Sequence, residues 1–201
     1  MADLPFPLEP PLAARLAAHL DREAKIPRVL DDLGPLTGRD VALVEGGPLR
    51  ASQLEERGAT VTVVPSAAAT GLGGAAVDAV VALWDGFRGP NRSEIEEASR
   101  VLRPGGRLLV VHDYGRDDVS RLRPPDLPEY GPWSRRDGPF LSSGWKIRVV
   151  HAWWTFETLE EAATFLGEAF GAVGTELAAT LRRPRLSYNV AVYHRTVGAA
   201  S

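Results

Sequence analysis

The short run His112-Asp113-Tyr114 closes the predicted strand Arg107–His112 and carries groups capable of acid–base chemistry. A histidine beside an aspartate and a tyrosine can supply a general base near neutral pH, so all three are candidate catalytic residues. Neighbouring residues of a strand point to opposite faces of a sheet, so at most one or two of these side chains can face one pocket. The competing interpretation is an ordinary polar turn at the end of a strand.

Acidic residues also follow two other apolar runs. Glu45 comes after Val41–Val44 and precedes Gly46-Gly47. Its carboxylate could accept a hydrogen bond from a bound amine or ribose, or could simply favour a helix N-terminus. The glycines could admit a ligand or only turn a strand into a helix. Asp85 follows Trp84, where it could line a pocket or belong to an Asp-Gly turn.

The stretch His151–Phe156 contains two adjacent tryptophans. Trp153 or Trp154 could form the floor of a site for an apolar or aromatic substrate, or hold a cation by cation–π contact. Core packing and a dimer surface are the alternatives. The arginines in 182–185 could contact an acidic partner or form a solvated loop. The four histidines, at 19, 112, 151 and 194, are scattered and predict no metal site.

Composition excludes several classes of function. The 201 residues suit one domain, and 44% hydrophobic residues can build a sizeable core. A net charge of −3 gives no electrostatic case for nucleic-acid binding. The absence of cysteine excludes disulfides, thiolate metal sites and a cysteine nucleophile. No secretory signal or membrane-length apolar run is present, so we expect a soluble cytoplasmic protein.

Hydrophobic periodicity predicts strands that alternate with helices. The predicted helices are 11–23, 27–33, 49–58, 91–102 and 159–170, and the predicted strands are 39–45, 60–64, 77–84, 107–112, 146–154 and 186–194. Ser93 and Glu96 fit a capping box, and Pro104-Gly105-Gly106 is predicted to end the helix before them. Residues 114–145 form the longest irregular segment. This alternation predicts a Rossmann-like, doubly wound α/β fold with a mostly parallel sheet.

Four segments resemble the class I S-adenosylmethionine-dependent methyltransferases, and within them the type 11 group. The segments are Val41–Gly47, Glu56–Val64, Ala76–Trp84 and Ala98–Val111, the last with its Pro-Gly-Gly turn being the strongest match. The resemblance implies an antiparallel C-terminal strand. It divides the chain into an N-terminal arm with helices, 1–37, and a methyltransferase-like part, 38–201, within one globular domain overall.

The same resemblance implies where the cofactor S-adenosylmethionine would bind. Because ligands of open α/β sheets bind beyond the carboxyl ends of the strands, it assigns cofactor contacts to six residues. They are Glu45, Gly46, Gly47, Ser66, Trp84 and Asp85.

This sequence departs from the family pattern in three ways. The Gly-x-Gly-x-Gly turn is reduced to Gly46-Gly47-Pro48-Leu49, and Pro65-Ser66 replaces the acid that binds ribose. Only about a dozen residues join the second strand to Val77, too few for the usual helix and third strand, so the sheet can lack one edge strand.

Two hypotheses about function follow. The first is a methyltransferase that positions S-adenosylmethionine against an oxygen or nitrogen of an unknown small molecule. The second is a non-catalytic protein, a pseudoenzyme that keeps the fold and serves as a binding or scaffolding subunit. We therefore expect a small-molecule substrate or a protein partner, with a homodimer as one option, and neither nucleic acid nor membrane.

Overall fold

A computed structural model describes residues 4–123 and 130–197. Its centre is a six-stranded sheet. The strands are β1 (Asp40–Val44), β2 (Thr60–Val64), β3 (Val77–Leu83), β4 (Leu102–Asp113), β5 (Lys146–Thr155) and β6 (Arg185–Thr196). The helices are α1 (Pro10–His19), α2 (Lys25–Leu33), α3 (Pro48–Glu55), α4 (Arg92–Val101), α5 (Tyr130–Trp133), α6 (Pro139–Ser142) and α7 (Leu159–Thr180).

The strand order is β2-β1-β3-β4-β6-β5. The first four strands are parallel, while β6 runs antiparallel to both β4 and β5. The predicted α/β class, with its mostly parallel sheet and antiparallel C-terminal strand, is confirmed. In the part of the chain that the structure describes, no strand pairs with the outer side of β2, which agrees with the predicted loss of an edge strand.

Two apolar cores cover the two faces of the sheet. The larger one packs α1, α2 and α7 on one face and contains Phe6, Leu16 and Trp154. The smaller one packs α4 on the other face and contains Phe87, Phe140 and Tyr193. Both faces of β1 and β3 are buried, which explains their continuous apolar sequences. No helix in the described ranges is both long and apolar enough to cross a membrane.

The structure corrects the predicted boundary between α4 and β4. Asn91 caps α4 by accepting a hydrogen bond from Ser93 N at 3.1 Å, so the predicted capping box is not the start of this helix. Pro104-Gly105-Gly106 lies inside β4, at a shift in register with β3. Val77 pairs with Leu102, but Ala79, only two residues later, pairs with Arg107. The predicted turn is therefore a bulge in a strand.

Two other segments also differ from expectation. Helix α7 continues past the predicted end at Phe170 to Thr180, with a kink at Gly171, whose φ of 58° and ψ of −135° are not helical. The segment 114–145, expected to be irregular, contains a 3-10 helix at Val119–Leu122 as well as α5 and α6. Residues 124–129 of that segment lie outside the described part of the chain.

Candidate functional site

The carboxyl ends of β1, β3 and β4 meet at one edge of the sheet, since the three strands are parallel neighbours. Open α/β sheets bind their ligands at this edge. At this edge, Glu45 follows β1, Trp84-Asp85 follows β3, and Tyr114 follows β4. This carboxyl edge is therefore the candidate site.

The turn after β1 is built for packing as much as for a ligand. Glu45 is exposed and has a left-handed φ of 50°, and Gly47 is the N-terminal cap of α3. A Cβ at Gly46 would lie 2.3 Å from the side chain of Leu43. Gly46 is therefore required by the strand beneath it, whether or not a ligand lies above it.

Trp84 occupies the middle of the carboxyl edge. Its backbone has a φ of 60°, and the residue is only 4% exposed. The indole stacks on Tyr188 of β6, with 6.3 Å between ring centroids, and the guanidinium of Arg50 lies 5.6 Å from its ring centre. The ends of β3 and β6 are thus bridged by aromatic side chains.

Arg50, which was not among the residues predicted from the sequence, lies beside Trp84 in the same region. It lies in the first turn of α3, is buried, and donates from Nη1 to Gln53 Oε1 at 2.7 Å. Its charge also acts on Asp21, whose carboxylate accepts from the backbone of Lys25 and Ile26 at the start of α2. The available signal was an arginine placed just after a glycine turn, where a helix begins.

Glu45 and Asp85 form an acidic pair at the exposed rim. Loss of hydration, followed by the charge and hydrogen bond of Asp85, raises the pKa of Glu45. Asp85 Oδ1 accepts from Gly86 N at 2.8 Å. Burial raises the pKa of the nearby Glu94, and the charge of Asp85 adds to that rise. The rim therefore favours protons or cationic groups over a ligand carboxylate.

His112 and Asp113 point to opposite faces of the sheet, as their adjacency in a strand requires. The His112 ring is buried, with Nε2 3.1 Å from Phe87 O, and its centroid lies 5.0 Å from that of Trp133. Burial lowers the pKa of His112 to about 4. A neutral histidine within the smaller core is suited to holding the β3–α4 loop.

Asp113 belongs to a buried network on the opposite face. It accepts from Tyr188 Oη at 2.6 Å and pairs with the guanidinium of Arg123. Arg123 also donates to Pro5 O at 2.9 Å and lies 4.2 Å from the ring centre of Phe6. Burial raises the pKa of Asp113, while Arg123 opposes that rise. This network fastens the N-terminal segment across the end of β4.

Tyr114 lies beyond the end of β4 and is half-buried, with the guanidinium of Arg116 5.8 Å from its ring centre. The structure therefore does not bring His112, Asp113 and Tyr114 into one pocket with their reactive groups together. Their proposed catalytic roles remain predictions.

The predicted aromatic floor divides between core and surface. Trp154 is fully buried and packs on Phe6, Phe170 and Tyr188. Trp153 is half-buried, and the guanidinium of Arg185 lies 4.2 Å from its ring centre. Trp154 is thus a core residue, as the alternative interpretation expected. The ring of Trp153 is already in contact with the guanidinium of Arg185.

Comparison with known proteins identifies the fold class. No family model matches the sequence, and no curated protein matches it significantly. The chain is similar to the solved structure of a candidate type II methyltransferase from Anaeromyxobacter dehalogenans, at 20% identity and a TM-score of 0.54, over 95% of this chain and 98% of the other.

It is also similar to a candidate methyltransferase of an antibiotic biosynthesis pathway from Anabaena variabilis, at 13% identity and a TM-score of 0.57. That match covers 90% of this chain and 99% of the other. The chain therefore has the fold of class I methyltransferases.

Two features of the carboxyl edge do not suit S-adenosylmethionine in the binding mode that the family resemblance implies. At the end of β2, Pro65 and Ser66 stand where a carboxylate would bind the ribose, and Ser66 Oγ already accepts from Ala68 N at 3.2 Å. The buried indole of Trp84 takes up space at the centre of the edge.

Proposed function

We propose that this chain is a non-catalytic protein with the methyltransferase fold, serving as a binding or scaffolding subunit. The observation that supports this most directly is Trp84, held between Tyr188 and Arg50 where the cleft of the fold opens. Burial of an aromatic side chain stabilises a fold strongly, and a ligand would have to displace it. The absence of a carboxylate at Pro65-Ser66 supports the same proposal.

Calorimetric titration with S-adenosylmethionine and S-adenosylhomocysteine tests this proposal. We expect no saturable heat up to about 1 mM ligand, because a functional site would have a dissociation constant below that concentration. The protein must first show a cooperative thermal transition, so that a missing signal cannot reflect unfolding. Micromolar binding of both compounds would contradict the proposal.

A second candidate function is methyl transfer from S-adenosylmethionine to a small molecule, as the class I fold and the exposed rim favour. Glu45 remains exposed beside Gly46-Gly47 and Asp85, so polar groups are available to the amino group of a donor. On this hypothesis, Glu45→Gln weakens binding about tenfold, the loss of one charge-assisted hydrogen bond. Glu23→Gln, at another exposed carboxylate, is the matched control and should leave binding unchanged.

We further propose, for either function, that the chain belongs to the type 11 group, is cytoplasmic and forms a homodimer. Sedimentation velocity at several protein concentrations distinguishes a monomer from a dimer. A partner subunit that is a different protein would leave the purified chain monomeric in that experiment.

A further inference from the structure

A cavity of about 350 Å³ opens at the amino end of the parallel strands, away from the carboxyl edge. Its wall contains Arg107 of β4, Lys146 of β5 and the imidazole of His194 of β6, with hydroxyls from Ser143 and Thr196. Arg195 borders it too, but its guanidinium lies 5.8 Å from the ring centre of Trp145, towards the other face of the sheet. Arg107 precedes the end of β4 at Asp113 by six residues, or about 20 Å of strand. We call this feature the basic cavity.

Strand register places four of these side chains on one face. Arg107 pairs with Thr196, and His194 pairs with Lys146. Paired residues share a face of the sheet, as do residues two apart, such as Thr196 and His194. Three strands therefore direct polar and basic groups into one volume.

Arg107 is held in place by its surroundings. A Cβ at Gly34 would lie 3.1 Å from Cγ of Arg107, so the end of α2 packs closely on the arginine stem. Its Nη1 donates to Thr196 Oγ1 at 2.5 Å, and Nη2 lies 3.4 Å from His194 Nδ1. The Nε of Arg107 is buried without a hydrogen-bond acceptor among the described residues. A buried donor of this kind costs free energy unless an acceptor reaches it.

No carboxylate lines the basic cavity among the residues that the structure describes. Asp78, which lines a separate cavity on the other side of Arg107, already pairs with Arg103 and Arg39. Burial, then the charges of Arg107 and Lys146, lowers the pKa of His194. The positive potential of the cavity is therefore not neutralised by a described acidic side chain.

We propose that the basic cavity binds a phosphate group, either free or carried as the monoester of a small molecule. Two cations, Arg107 and Lys146, together with hydroxyl groups, suit a phosphate, which concentrates up to two negative charges on neighbouring oxygens, better than carboxylates, whose charges lie apart even in a dicarboxylate such as succinate. The volume exceeds that of a phosphate, which leaves room for the rest of a small phosphorylated compound. This site lies at the opposite end of the strands from Trp84, so it does not depend on whether S-adenosylmethionine binds.

Titration of the full chain, followed by backbone amide NMR at constant ionic strength, tests the site. The probes are inorganic phosphate, glycerol phosphate and succinate. We expect phosphate to shift the amides of Lys146 and Thr196 saturably, with a dissociation constant of about 1 mM, as two or three charge-assisted contacts provide. Glycerol phosphate separates a monoester ligand from free phosphate, and succinate should bind at least about tenfold more weakly.

The chain has two lysines, which supply a matched pair of variants. Lys146→Gln should weaken phosphate binding about tenfold, whereas Lys25→Gln, an equal change in net charge, should leave it unchanged. Lys146 is exposed, and the half-buried Lys25 pairs with the exposed Glu23, so we expect both variants to fold. Absence of saturation by about 10 mM phosphate, equal weakening by the two variants, or equal affinity for succinate would each overturn the proposal.

Discussion

At the scale of single residues, burial changes what the polar side chains of the candidate site can do. The sequence placed His112 and Asp113 at the end of a strand and on opposite faces, and the structure shows both. It did not reveal that Asp113 pairs with Arg123 and Tyr188, because those partners are 10 and 75 residues away in the chain. Arg50 was missed for a similar reason, since its burial depends on Trp84 and on the α1–α2 turn.

His112 should make stability depend on pH. Its pKa is about 4 in the folded protein, against 6.5 for an unperturbed histidine, so the unfolded state takes up the proton first as pH falls. Its contribution is complete above pH 6.5 and is lost as pH falls towards 4. We expect a loss of about 2 kcal/mol between pH 7.5 and pH 5, measured by urea unfolding.

Two glutamine variants isolate that contribution. His112→Gln retains a side-chain donor for Phe87 O but does not titrate, so its free energy of unfolding should fall about 2 kcal/mol less over this pH interval. His151→Gln changes an exposed histidine and should keep the pH dependence of the wild type. If both variants behaved like the wild type, His112 would not carry the effect.

At the scale of secondary structure, prediction succeeded where periodicity and length agreed. Strands β2 and β6 and helix α2 lie within a few residues of their predicted positions. The Pro-Gly-Gly segment was mistaken for a turn because proline and glycine occur both in turns and at irregularities inside strands. Helix α7 was ended too early because the glycine at 171 bends it without stopping it.

The kink of α7 gives a prediction about two glycines. Gly171→Ala should destabilise the protein by about 1–3 kcal/mol, because the conformation at this residue favours glycine. Gly167→Ala is the control: its Cβ would meet Thr175 Oγ1 at an ordinary 3.4 Å, and alanine favours a helix by up to about 1 kcal/mol. Thermal unfolding of the two variants checks the contrast, and similar losses in both would contradict it.

At the scale of the whole molecule, the N-terminal part and the sheet share one core. The boundary that the resemblance suggested, between 37 and 38, remains a prediction about domains. Phe6, Leu16 and Leu30 nevertheless belong to the same buried cluster as Val81 and Leu109 of the sheet. The sequence indicated an amphipathic α1 but could not show which surface it would cover.

Removal of residues 1–37 should therefore abolish cooperative folding, because one face of the sheet would lose its cover. Phe6→Ala is the milder test and should cost about 3–5 kcal/mol while the transition remains single. Urea unfolding followed by circular dichroism measures the cooperativity of the truncated chain and the free energy of unfolding of Phe6→Ala. A fragment 38–201 that unfolded cooperatively would show that the two parts are separate domains.

The contacts of Phe6 also determine when the molecule can finish folding. Its ring meets Arg123, Trp154 and Phe170, which are all made long after it during synthesis. Domains complete their folding only when such distant partners have emerged, and contacts between distant residues slow the process. The ring of Phe6 therefore stays without these partners until the residues between them have been synthesised, and during that interval a chaperone has its best opportunity to bind it.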